Sequence, residues 1–227
     1  LLAGIFTTLN SPPLNLGIPT FTLPALPTGD YAVAAALSFN RINSTTSASV
    51  ISDDNINVVG DLNITTANDT DTTSNADSTN IDATIPVIDL GVGASIAINI
   101  AEVANTASLG GSPIISADNI NINAGMNIAD DQLHSSSALA TSGAGSPLES
   151  VAGAVALNLV NNRSDALILS GTVLAIGSTN LAISSSNVSH SISSASPELV
   201  AGQVGTGASL AMNIVEHSSR SAIENNA

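Results

Sequence analysis

Large aliphatic residues and small or polar ones alternate one for one along several stretches of this chain. Ile96, Ile98 and Ile100 interleave with Ser95, Ala97 and Asn99, and Val155, Leu157 and Leu159 interleave with Ala154, Ala156 and Asn158. A period of two is that of a β-strand, with one set of side chains on each face. It predicts that Leu37, Phe39, Ile96, Ile98, Ile100, Val155, Leu157, Leu159, Leu210, Met212 and Ile214 are buried, while the Ala, Ser and Asn set faces outward. Residues 60–66 and 177–184 read as shorter strands broken at Gly or Asn corners. No stretch carries a capped pattern of 3.6-residue period, so the chain is expected to be all-β.

The alternating segments are copies of one another. Residues 36–40, 95–99, 154–158 and 209–213 align on Asn40, Asn99, Asn158 and Asn213, which are 59, 59 and 55 residues apart. Pro27, Pro86, Pro147 and Pro197 each precede the next copy by a short link, and a polar turn and a small-residue strand follow each asparagine. Such self-similarity predicts a β-solenoid, β-helix-like, built from about three and a half repeats of ~59 residues, approximately 31–90, 91–150, 151–204 and 205–227. Stacked copies would place Asn40, Asn99, Asn158 and Asn213 in one ladder of amides. One wide coil per repeat and three small coils of some 20 residues both fit the period, the wide coil better.

Composition narrows what such a stack can do. The 227 residues carry 18 acidic and 3 basic side chains, a formal charge of −15, with four aromatics and no cysteine. Nucleic-acid binding needs a cationic footprint and stacking rings, and thiolate metal sites or disulfides need Cys, so these classes fall away. Residues 1–30 are uncharged up to Asp30 and are interrupted by Pro12, Pro13, Pro19, Pro24 and Pro27. Proline at this density predicts an extended apolar tail rather than a signal peptide or a membrane-inserted helix. Its apolar residues Leu1, Leu2, Ile5, Phe6 and Leu9 are expected to form a subunit interface by adding a strand to a neighbouring copy. An excised piece of a longer protein is the competing account of such a chain.

Several motifs now resemble a known group. The runs Gly-Asp-Leu-Asn-Ile-Thr-Thr (60–66), Asp-Asn-Ile-Asn-Ile-Asn (118–123) and Val-Ala-Gly-Ala-Val-Ala-Leu-Asn-Leu-Val-Asn-Asn (151–162) look like the repeats of giant bacterial surface and secreted proteins. These are the filamentous-haemagglutinin-like and autotransporter-like adhesins. The resemblance covers roughly residues 31–227 and implies a right-handed β-helix in an extracellular or cell-surface protein that is elongated and non-enzymatic. The repeat is longer here than in haemagglutinin-type copies.

Catalytic chemistry finds little to work with. Arg41, Arg163 and Arg220 follow their asparagines by one, five and seven residues, so no lyase-like base and acidic cluster recur together. The pairs Asp53-Asp54 and Asp130-Asp131 point to opposite faces if they lie on strands. Asp69, Asp71, Asn75 and Asp77 offer oxygens at intervals that suit Ca²⁺, with an exposed polar loop as the plainer account; no other cofactor is expected. His134 and His190 read as equivalent, solvent-facing strand positions. Two functions remain. One is a structural protein, a self-associating filament or adhesin stalk that is a homo-oligomer and touches host or environmental surface glycans. The other is a ligand-binding β-solenoid for glycan or ice. The outward column Ser38, Ala97, Ala156 and Ala211 lacks the threonine array ice requires, and Tyr31 is the one aromatic candidate for a glycan.

Overall fold

The strands that form are parallel and stack in a solenoid-like arrangement. The structure is a computed structural model that describes residues 31–80, 89–111, 114–127, 129, 131–174, 180–201, 203–225 and 227. The tail with Leu1, Leu2, Ile5, Phe6 and Leu9 lies outside the described residues, whereas residues 31–227 form one compact unit. No helix occurs among the described residues.

Sheet A contains the longest strands, β1 (Tyr31–Ser52), β5 (Leu90–Gly111), β9 (Glu149–Ile168) and β13 (Val204–Ile223), in that order. Between successive members of sheet A the chain passes through three shorter sheets. Sheet B takes β2 (Ile56–Asn57), β6 (Ile114–Ser116) and β10 (Val173–Leu174). Sheet C takes β3 (Asp61–Asn68), β7 (Asn119–Met126) and β11 (Asn180–Ser185), and sheet D takes β4 (Thr72–Asn80), β8 (His134–Ser146) and β12 (Ser189–Ala201). Every pairing is parallel, and Asn40, Asn99, Asn158 and Asn213 occupy one row of sheet A.

Two cores of different character lie inside the stack. Where the later half of sheet A meets sheets B and C, the interior is aliphatic: Leu109, Ile115, Ile120, Ile122 and Ile168 are almost fully buried. Where sheet A meets sheet D the interior is built of alanine, with Ala97, Ala138, Ala154 and Ala156 at its centre.

This second core reverses the sequence expectation. Ser95, Ala97 and Asn99 are buried at 0–1% exposure, while Ile96, Ile98 and Ile100 lie half-buried on the outer face. Ala154, Ala156 and Asn158 likewise point inward, and Val155 is 37% exposed. The cause is the narrow gap between the sheets. A Cβ added at Gly93 would lie 2.2 Å from the Gly143 carbonyl oxygen, and one at Gly91 would lie 2.5 Å from that of Gly145. No side chain fits between β5 and β8 at that point; in the next layer the small residues Ser150 and Ala152 fill the same rows of sheet A, and farther along the interior is filled by Ala, Ser, Asn and Thr72. Burying the aliphatic set there would force the sheets apart, so those residues take the outside.

A pair of substitutions tests this inversion. Ala156→Leu should destabilise the fold by about 1–3 kcal/mol through overpacking. Ile98→Ala should cost about 1 kcal/mol, below the range of a core truncation. Urea denaturation of both variants measures the order, and the opposite ranking would refute the inward-facing alanine core.

Candidate functional site

The face that the narrow gap turns outward is the first candidate. Along sheet A the register brings Leu37, Ile96, Val155 and Leu210 into one row across the strands, and Phe39, Ile98, Leu157 and Met212 into another. The next row holds Arg41, Ile100, Leu159 and Ile214, and an earlier one holds Val33, Val92, Val151 and Thr206. Between these rows runs a shallow groove of small residues, Ala35, Ala94, Gly153 and Ala208. Val33 is 48% exposed, Leu210 54% and Ile214 51%, so solvent reaches the face at both edges of the sheet.

An apolar array of this extent lies at the upper end of the largest patches on monomeric proteins, which are often functional. Arg41 is its one charged residue, and it sits 3.8 Å from Glu102 in the neighbouring row, where both side chains are about half exposed. The outward faces of the other walls differ. Sheet C presents polar columns, in which Asn121 donates to Asn63 at 2.8 Å and Asn180 to Asn119 at 3.2 Å. Sheet D presents Thr73 and Asn75 on β4 and His190 and Ser194 on β12.

Inside, the asparagine row is a bonded chain. Asn40 Nδ2 donates to Asn99 Oδ1 at 3.0 Å, Asn99 Nδ2 to Asn158 Oδ1 at 2.9 Å, and Asn158 Nδ2 to Asn213 Oδ1 at 3.1 Å. Sheet D completes the amides' requirements. Thr72 and Ser136 hydroxyls accept from Asn99 at 2.8 and 2.7 Å, and Ser136 donates to Asn158 at 2.9 Å. Asn99 and Asn158 are fully buried, so these bonds replace the water the amides lose. Asparagine here ties each strand to the next and one sheet to the other.

The remaining sequence candidates are not brought together. Asp69 is buried against His134, Asp71 accepts the Ser135 amide at 2.9 Å, and Asp77 accepts the Thr79 amide at 3.0 Å. Asn75 lies exposed on β4. Among the described residues no three His, Asp or Glu side chains are grouped so as to hold a metal ion. The histidine expectation needs correction. His134 pairs with Ser189 rather than His190, a shift of one residue that turns the two rings to opposite faces, and His134 is 3% exposed. Its Nδ1 accepts the Thr70 amide proton at 3.1 Å, so the 4.0 Å approach of Asp69 is not a hydrogen bond. Asn68 and Asn162, each the first residue of an Asn-x-Ser/Thr sequence that could accept a glycan, are buried, so neither is open to modification in the folded chain. No family model, curated protein or solved structure matches the chain.

Two expectations follow from the interior. Asn158→Asp keeps the shape but sets an acceptor against the Ser136 and Ile192 carbonyls and Asn213 Oδ1. It should cost more than Asn158→Ala, itself about 2–3 kcal/mol, while Asn213→Ala at the exposed end should cost less than about 1 kcal/mol in thermal or urea unfolding. Burial lowers the His134 pKa below its ordinary 6.5, against the upward pull of Asp69 and Asp71, with His217 adding to the lowering. The unfolded chain therefore takes up a proton before the folded one does, and stability should fall as pH drops through 6.5. His134→Asn retains an acceptor for Thr70 and should flatten that slope, read from urea midpoints between about pH 7.5 and 5.5. An unchanged slope would show that His134 does not carry it.

Proposed function

We propose that this is a structural, non-enzymatic protein of the cell surface or extracellular space, whose work is to form a self-associating filament or adhesin stalk. In this reading the chain comprises about three and a half wide repeats of ~59 residues. One observation carries it: the chain meets itself in register, with the same groups repeated from strand to strand and bonded along the stack, as in the row from Asn40 to Asn213. A fold of this kind is extensible, because β1 and β13, the outermost strands of sheet A among the described residues, carry the same backbone groups that β5 and β9 use to pair. Further copies add by parallel strand pairing, with the amide row fixing their position.

The chemistry of the interior supports a mechanical role. Hydrogen bonds run along the stack from amide to amide and across it from sheet A to sheet D. The −15 charge keeps such an assembly soluble and separates it from anionic surfaces.

Electron microscopy and X-ray fibre diffraction of the purified full chain test the proposal. Filaments with a meridional spacing of about 4.8 Å, strands perpendicular to the axis, are the expected result. Monodisperse particles at all concentrations would overturn it.

A further inference from the structure

We propose that the outward apolar face of sheet A packs against the same face of a second copy of this chain, with a two-fold axis parallel to the strands. The proposal rests on the self-associating reading above and adds a lateral contact to its axial one.

Area is the first argument. From Val33 to Arg41 the face runs about 30 Å along the strands, and four strands give it a width of about 19 Å. Each copy then contributes roughly 570 Å², and the pair roughly 1,100 Å², above the ~1,000 Å² a specific interface needs. Each further coil added to a stack widens the apolar face by about 4.8 Å. Lateral affinity therefore rises with stack length.

The second argument is complementarity under that axis. The two-fold keeps each position along the strands in place and reverses the strand order, so β1 of one copy lies over β13 of the other, and β5 over β9. Phe39 then meets the partner's Met212, an aromatic ring against an adaptable thioether. Arg41 lies over the partner's Ile214, one outward position from the partner's Glu216. Arg163 lies over the partner's Ala104, one outward position from the partner's Glu102. Symmetry repeats both approaches, so Arg41, already beside Glu102, and Arg163 at the rim beyond the face, already bonded to Asp165, each gain a second carboxylate from the partner. An axis perpendicular to the strands within the sheet plane would instead set Arg41 over the partner's Val33. Opposite charges select the first arrangement. Two apolar sheets packed face to face with nearly aligned strands are an ordinary sandwich geometry.

Sedimentation of the full chain at neutral pH tests this. Wild type should dimerise at tens of micromolar, and the double variant Val155→Asp/Leu210→Asp should be monomeric with an unchanged circular dichroism spectrum. Val188→Asp, an exposed apolar residue outside sheet A, should still dimerise. Arg41→Glu and Glu216→Arg should each weaken the dimer about tenfold, and the two together should restore it. Wild type that stays monomeric, whether free or bound to neutral phosphatidylcholine vesicles, would overturn the proposal. So would a dimer indifferent to the aspartates, or a charge swap without rescue. Microscopy separates the two readings: filaments of single width from the aspartate variant leave axial stacking intact and remove only lateral pairing. Lateral dimers without filaments do the reverse.

Discussion

Everything in this structure follows from how closely sheets A and D approach. In the layer of β5 and β8, paired glycine backbones at Gly91 and Gly145, and at Gly93 and Gly143, set a gap that no side chain can enter, and in the next layer the same rows of sheet A hold only Ser150 and Ala152. Moving along the strands, the gap admits alanine, then serine and asparagine. It opens enough for leucine and isoleucine only where sheets B and C intervene. Packing density must be met at each point, so the width of the interior dictates residue size. The outward display of Ile96, Ile98 and Leu157 is the other half of the same constraint.

A thin interior gains little from apolar burial, since an alanine methyl hides far less surface than an isoleucine side chain. Polar groups take over the task of specifying register. A slip of one strand by two residues would keep alanine facing alanine and change the packing little. It would break the bonds from Asn99 to Asn158 and from Ser136 to both. The buried amides thus select one alignment among several that packing alone would tolerate, in the way a single polar residue fixes the register of a coiled coil.

The sequence made the strands and their alignment legible and left their orientation hidden. Strict alternation at 95–100 and 154–159 can only be β, and the spacing of Asn40, Asn99 and Asn158 matches the paired rows of sheet A. What misled was the habit that large apolar residues lie inside. That rule presumes an interior wide enough to hold them, and the glycines that narrow it, such as Gly93 and Gly143, lie 50 residues apart in the chain. Their meeting is a tertiary fact with no local signal. The histidine positions failed for a related reason. Counting from the asparagines gives distances of 35 and 32 residues, but strand pairing does not conserve such counts where the intervening loops differ in length. The buried role of Ser136 and Thr72 was equally hidden among the many Ser and Thr of a chain in which they recur everywhere.

The alanine and asparagine interior has a thermal consequence. Unfolding exposes apolar surface, which raises heat capacity, and polar surface, which lowers it. A core of methyls and amides between sheets A and D releases less of the first and more of the second than a leucine core of equal length. Its heat-capacity change per residue is correspondingly small, and the curve of stability against temperature is shallow. The stability of such a protein changes little from cold to warm.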